Sequence, residues 1–191
     1  FSVKKKIDRL NTKVIISSNE KDVLNADKII LPGVGHFEKA MENLKKLHLI
    51  PVLNHAVKEE KKPVLGICLG MQLMANESEE GNINGLSWID ANVIKFKVNN
   101  SLNFKIPHMG WNQISITKTS KLMKNISNGY EFYFVHSFYM KVKCSEEILN
   151  ETVYEEKFTS AIEKENIFGV QYHPEKSHNF GEILLKNFID L

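Results

Sequence analysis

Only two cysteines, Cys68 and Cys144, occur in the chain. They are too few for the disulfide framework of a small secreted domain, so a reducing, cytoplasmic setting is expected. No apolar stretch approaches the roughly 18 residues that a membrane span needs, and no signal-peptide pattern precedes Ser2–Ile7, so no membrane partner is expected. Charge of one sign is missing as well. The 25 Lys and Arg against 23 Asp and Glu leave a net charge of +2, which gives no electrostatic footprint for a nucleic acid. Repeats, low-complexity tracts and clear linkers are also lacking. What is present is ordinary globular material: 42% hydrophobic and 25% charged residues over a chain of 191, enough for one domain spanning 1–191. The chain opens at Phe1 on a helical pattern, Ser2 to Asn11, where an α/β domain usually opens on a strand. A first strand upstream of Phe1 is therefore expected.

Strand and helix patterns alternate in the first half. Lys13–Ser17 (KVIIS) and Lys28–Leu31 (KIIL) are short β-branched runs suited to buried strands. Pro32-Gly33-Val34-Gly35 is a turn signal. Phe37, Met41, Leu44 and Leu47 then recur at spacings of four, three and three, an apolar stripe on one helix. A further helix spans about Pro51 to Glu60. Pro63–Ile67 is a compact strand that runs straight into a helical segment at Gly70–Ala75.

The second half alternates apolar and polar residues at Ala91–Val98, Asn112–Thr117 and Glu131–Val142, the habit of half-exposed antiparallel strands. Thr159–Glu163 and Ile167–His173 read as a late hairpin, and Phe180–Leu191 as a closing helix. The expected fold is α/β: a three-layer, mostly parallel open sheet with helices on both faces, plus an antiparallel extension in the second half.

The sharpest chemical feature is Gly66-Ile67-Cys68-Leu69-Gly70, between a buried strand and a helix. Such a junction strains its apex residue, and glycines on either side let the chains pass closely. The apex Cys68 then projects above the sheet at a helix start that favours a thiolate. As the bland alternative, free cysteine is among the most buried residue types. A nucleophilic thiolate needs a base and a group to orient that base. Among seven histidines, His48 and His55 lie in surface patterns. His173 ends an apolar strand, where open α/β sheets present catalytic groups. Glu175, two residues on, points to the same side and can fix the His173 tautomer. Donors for an oxyanion are available from the Leu69 N–H and from the peptide units of Gly33 and Val34 in the PGVG loop. His173, Glu175, His178 and His136 could be imagined as a metal cluster, but their spacing matches no standard zinc motif, so no metal and no cofactor are expected.

PGVGHF (32–37), GICLGMQ (66–72), EEG (79–81), PHMGWN (107–112), FYFVHSF (132–138) and GVQYHPEKS (169–177) follow one another in this order. Together they closely resemble the class I, triad-type glutamine amidotransferases, and more narrowly the glutaminase subunits of imidazole glycerol phosphate synthase. The resemblance implies a flavodoxin-like fold and roles for Cys68 as nucleophile, His173 as base and acid, and Glu175 as orienting carboxylate. It implies substrate contacts from Gly35, Gln72, His136 and Ser137. It also implies contacts from Trp111, Tyr133 and Lys176 to a (β/α)8 cyclase subunit, forming a heterodimer. The implied reaction hydrolyses glutamine to glutamate and ammonia. The ammonia passes through a tunnel to the partner, which makes imidazole glycerol phosphate and AICAR in histidine biosynthesis. Two other readings stay open: a glutaminase serving a sugar amidotransferase in surface-glycan synthesis, and a non-catalytic regulatory subunit on the same fold; a cysteine peptidase or chaperone of a related elbow-bearing fold leaves the HPE and PHMGWN segments unexplained.

Overall fold

The computed structural model describes residues 2–100 and 102–191. Phe1, and with it the expectation of an upstream strand, lies outside the described residues. In chain order the elements are α1 (Ser2–Asp8), α2 (Glu20–Asn25), β1 (Ile29–Gly33), α3 (Phe37–Lys46), α4 (Leu49–Asn54, continued by a π turn over His55–Glu59), β2 (Val64–Cys68) and α5 (Leu69–Gln72). Then follow β3 (Glu77–Ser78), β4 (Ile83–Asn84), β5 (Ala91–Lys95), β6 (His108–Gln113), β7 (Ser115–Ile116), β8 (Glu131–His136) and β9 (Phe138–Val142). The chain closes with β10 (Ile148–Tyr154), β11 (Glu156–Lys164), β12 (Ile167–Val170) and α6 (His178–Ile189).

Among the described residues the main sheet has the order β1-β2-β12-β11-β10-β7. β1, β2 and β12 run parallel, and β11, β10 and β7 extend the sheet antiparallel. The α/β layering and the antiparallel extension are as the sequence predicts, with the parallel part confined to three strands. β2 is buried along its whole length, and from Val64 to Ile67 its side chains divide by parity as a pleated strand requires; Cys68, at the strained end, joins the side of Ile67. Val64 points into one core with Phe37, Met41 and Leu44 of α3, Leu49 and Leu53 of α4, and Val93 and Met140 from a second sheet. Leu65 and Ile67 point into the other, with Leu184, Leu185 and Phe188 of α6. The strands on either side follow suit: Leu31 of β1, in register with Gly66, faces the first core, and Val170 of β12, in register with Ile67, faces the second.

Four local readings change. Asn112–Thr117 is not one strand: Asn112 and Gln113 end β6, which pairs with β8, while Ser115–Ile116 is β7 at the edge of the main sheet. Lys13–Ser17 forms no strand: no described strand lies alongside it, and Ile15 and Ile16 are 57% and 63% exposed. β-branched residues confer propensity, but a strand exists only where a ladder partner supplies hydrogen bonds. Leu47, the last residue of the predicted stripe, falls just past α3 and is exposed. Glu131–Val142 is two strands that belong to different sheets, β8 pairing with β6 and β9 with β5, and the chain changes sheets at Ser137.

Among strands longer than two residues, β10 was not legible. Its inward residues Asn150 and Thr152 are polar, which hides the apolar alternation. They are buried because they are satisfied. Thr152 Oγ1 donates to Ser160 Oγ (2.8 Å), Ser160 Oγ to Asn150 Oδ1 (2.7 Å), and Asn150 Nδ2 to the Tyr172 hydroxyl (3.1 Å). No helix among the described residues is long and apolar enough to cross a membrane.

Candidate active site

β2 runs into α5 without a connecting loop, and Cys68 takes the strain of the reversal at φ 54°, ψ −111°. That left-handed value is uncommon for a residue with a side chain and persists only where the surroundings hold it. The glycines on either side are required by space. A Cβ on Gly66 would lie 2.6 Å from the Met71 backbone, and one on Gly70 would lie 1.7 Å from the Leu31 carbonyl oxygen of β1. α5 is a single turn, so a helix macrodipole is a weak source of thiolate stabilisation here, and specific donors matter more. Gly33 is paired with Cys68 in the β1–β2 register, which sets the PGVG loop beside the sulfur. Within that loop Val34 is 80% exposed and Gly35 takes φ +109°.

His173 sits in the turn after β12 and is 1% exposed. Its Nδ1 is 2.9 Å from Glu175 Oε1, which sets Nδ1 as the donor when Glu175 is ionised and leaves Nε2 for chemistry. The turn is pinned to β8: the His173 N–H donates to the Tyr133 carbonyl (2.8 Å), the Ser177 hydroxyl donates to the His173 carbonyl (2.6 Å), and the Tyr133 N–H donates to Ser177 Oγ (3.0 Å). Burial alone would push the His173 imidazolium down, but the neighbouring Cys68 sulfur and the Glu175 carboxylate outweigh it and lift its pKa to about 9. No aligned hydrogen bond joins Nε2 to the sulfur, and among the described residues this buried atom has no hydrogen-bond partner. It is near enough for charge to count and is left free to serve an incoming group.

A cavity of about 330 Å³ opens over this pair, within the range of about 300–1,000 Å³ usual for small-molecule sites. Val34, Gly35, Cys68, Leu69, Gln72, His136, Ser137 and His173 all line it. The structure thus brings together the residues named from the elbow, the PGVG loop, the substrate set and the histidine turn. Gly33 lies one residue outside the lining, and Glu175 lies behind His173. Trp111, Tyr133 and Lys176 do not line the cavity and form a separate group. The Trp111 ring meets Tyr133 edge-on at 5.9 Å and stacks on His178 at 4.8 Å, while Lys176 Nζ sits 5.3 Å above the Tyr133 ring. Trp111 is 44% exposed. His48 and His55 are at the surface, and no group of three metal-ligating side chains occurs among the described residues.

Sequence reasoning missed three residues here. Glu80 also lines the cavity and accepts the Phe37 N–H at the start of α3 (2.7 Å). Its only sequence signal was the EEG string. Gln171 is fully buried and donates to the Cys68 sulfur at 3.6 Å. His108, on β6, places Nδ1 3.1 Å from His136 Nε2.

Burial holds His108 and His136 neutral, with pKa values of about 4 and about 3 against an ordinary 6.5. In the unfolded chain both take up a proton near 6.5, so the stability that depends on their being neutral is complete above that pH and is lost as pH falls toward the folded values. His136 alone contributes a slope of up to about 1.4 kcal/mol per pH unit. His173 acts in the opposite direction: its contribution is complete below about 6.5 and is lost as pH rises through about 9. Urea midpoints measured across pH should therefore be highest near pH 6.5 and fall on either side, and His136→Gln should flatten the acid side. An acid limb equally steep in that variant would show that His136 is not its source.

The family model for glutamine amidotransferase class-I matches residues 1–191. The chain belongs to that family. It is 50% identical to imidazole glycerol phosphate synthase subunit HisH 2 of Methanococcus maripaludis, covering 98% of this chain and 92% of that protein. It is 48% identical to subunit HisH 1 of Campylobacter jejuni strain RM1221, covering 100% and 94%. Among solved structures, a glutamine amidotransferase crystal structure superposes with a TM-score of 0.76 at 13% identity, covering 99% of this chain and 91% of that one. The glutaminase domain of Trypanosoma brucei CTPS with bound acivicin gives 0.64 at 18%, covering 100% and 88%. At these identities the structural likeness shows the class I amidotransferase fold alone, in agreement with the α/β layering above.

Proposed function

We propose that this chain is the glutaminase subunit of an imidazole glycerol phosphate synthase in histidine biosynthesis, working in the cytoplasm as a heterodimer with a (β/α)8 cyclase subunit. The observation that carries the reading is the strained Cys68, with the free Nε2 of His173 beside it, at the floor of a cavity of substrate size. The two HisH relatives support the choice of pathway.

Glutamine enters with its side-chain amide over Cys68. Glu80, among the described residues the one carboxylate lining the cavity, receives its α-ammonium, and the Ser137 edge and Gln72 receive the rest of its amino-acid end. The Cys68 thiolate attacks the amide carbon, and the C=O π pair moves onto oxygen. The Leu69 N–H and a peptide N–H of the Gly33–Val34–Gly35 loop hold that oxyanion. As the C–N bond breaks, His173 Nε2–H protonates the leaving nitrogen, so ammonia departs and a glutamyl thioester remains. Neutral His173 then takes a proton from water, hydroxide adds to the thioester carbonyl, and the C–S bond breaks to release glutamate and the thiolate. Glu175 holds the ring in one orientation throughout.

The PGVG loop suits a switch. An oxyanion donor is worth about 10²–10³ in turnover, so a loop that offers its N–H only with the partner engaged would suppress idle hydrolysis. Glutamate release should rise sharply when the cyclase subunit and its substrate are added, and the gene should relieve histidine auxotrophy. Release without any response to the cyclase, or failure to complement, would move the chain to another amidotransferase pathway.

Trp111 and Tyr133 give the docking face a rigid aromatic anchor, and Lys176 is held over the Tyr133 ring. Large aromatics at an interface centre commonly contribute about 2 kcal/mol or more when truncated. Trp111→Ala should therefore weaken partner binding by about 30-fold in a titration. An unchanged Kd would place the interface elsewhere.

A further inference from the structure

We propose that Gln171 is the hydrogen-bond donor that favours the charged form of the Cys68 sulfur, its amide aimed by Gln72 and the Phe138 carbonyl. The proposal rests on the reading of Cys68 as the nucleophile.

The direction of this chain of contacts is forced by one group. A backbone carbonyl can only accept, and the Phe138 carbonyl accepts from Gln72 Nε2 (2.9 Å) and faces His136 Nδ1 (2.8 Å). Gln72 therefore presents its NH₂ end, and the same nitrogen donates to Gln171 Oε1 (2.9 Å). With its carbonyl end taken, Gln171 can only turn its NH₂ toward Cys68, where Nε2 lies 3.6 Å from the sulfur. A flipped Gln171 would set two NH₂ groups against each other and a carbonyl oxygen against sulfur. In a residue with no solvent access, that arrangement leaves polar groups unpaired at a high cost.

The same logic runs outward. His136 donates through Nδ1, so its Nε2 is an acceptor, and His108 Nδ1 must donate to it. His108 Nε2 is then free to accept from Asn112 Nδ2 (3.3 Å), whose amide also donates to the Val153 carbonyl (2.9 Å). An ordered set of donors and acceptors thus leads from β6, the strand that carries Trp111, to the sulfur.

Among the described residues Gln171 is the one side chain that donates to the sulfur; the thiol itself points at the Val135 carbonyl, 4.0 Å away. The titratable groups facing the sulfur are His173 from the turn after β12, with Glu175 behind it, His136 from β8, and Glu80 from the β3–β4 connection. His173 acts on the sulfur through its charge without an aligned hydrogen bond, and His136 and Glu80 make no hydrogen bond to it. An N–H bond to a charged acceptor is stronger than one to a neutral acceptor. The Gln171 amide therefore favours the thiolate over the thiol, both before attack and again when the thioester releases the sulfur.

The test is the pH profile of iodoacetamide alkylation at Cys68, measured on the full chain with its partner subunit in a Cys144→Ser background, because Cys144 is an exposed free thiol. Gln171→Met keeps length and removes the donor. Its alkylation midpoint should rise by about one pH unit, with alkylation about tenfold slower on the acid side and the plateau rate preserved. A merely structural role would lower the melting temperature and leave the midpoint where it was. Should Gln171→Met fail to fold, Gln72→Met decides, since it frees the Gln171 amide to turn and should move the midpoint the same way. An unmoved midpoint in either folded variant overturns the proposal. A wild-type Cys68 that alkylates only like a free thiol would instead overturn the nucleophile reading.

Discussion

Cys68→Ala should lower glutamine-dependent turnover by about 10⁴-fold or more, while synthesis from added ammonia stays within about twofold of wild type. The asymmetry follows from where the sulfur sits. It lies on the floor of the cavity and apart from the Trp111–Tyr133 pair, so under the proposed function removing it deletes covalent catalysis and leaves the partner's chemistry intact. Alanine at φ 54° is as strained as cysteine, so the variant's melting temperature should stay within a few degrees of wild type. Glutamate release and product formation, measured with glutamine and with ammonium in parallel, check this directly. Glutamine turnover within about tenfold of wild type would sink the assignment of Cys68.

The other large effect is on folding. Gly70→Ala places a methyl group 1.7 Å from the Leu31 carbonyl oxygen, far inside contact distance, and neither side is a flexible side chain that can step away. β1 and α5 must separate, which pulls the PGVG loop from Cys68 at the same time. The expected cost is about 3 kcal/mol or more, among the larger effects of a single substitution, with a fall in melting temperature of about 6–12 °C for a domain of this size. Glutaminase activity should drop even in the fraction that remains folded. A Gly70→Ala chain with unchanged melting temperature and activity would mean that the elbow is looser than its geometry indicates.

The chemistry-bearing segments were legible because each is local. The turn at Gly66–Gly70 needs glycines at fixed offsets, and His173 and Glu175 reach each other across two residues of extended chain, so both leave a signature within a few positions. The α3 stripe and the closing helix were legible for the same reason, as a period of 3.6 is a short-range property. Where the pattern misled, a distant partner decided. Lys13–Ser17 has the residues of a strand but no ladder beside it. The Glu131–Val142 run keeps one alternation while changing sheets at Ser137, because pleat parity says nothing about which strand pairs. β10 hid its inward face because Asn150 and Thr152 are satisfied by Ser160 and Tyr172, on the next strand and beyond, 8 to 22 residues further on.

The same division holds at the site. By itself the sequence determined the family, the α/β class and the identity of the thiol, imidazole and carboxylate, since these depend on residue types at short, fixed separations. Only the tertiary structure decided what surrounds them. It set Gly33 against Cys68 through strand register, aimed Gln171 at the sulfur through an amide and a carbonyl from two other elements, and gathered Trp111, Tyr133 and Lys176 onto one face apart from the cavity. Hydrogen bonds and packing between segments 35 to 103 residues apart carry no local pattern, because the groups that meet are chosen by the fold and not by their neighbours in the chain.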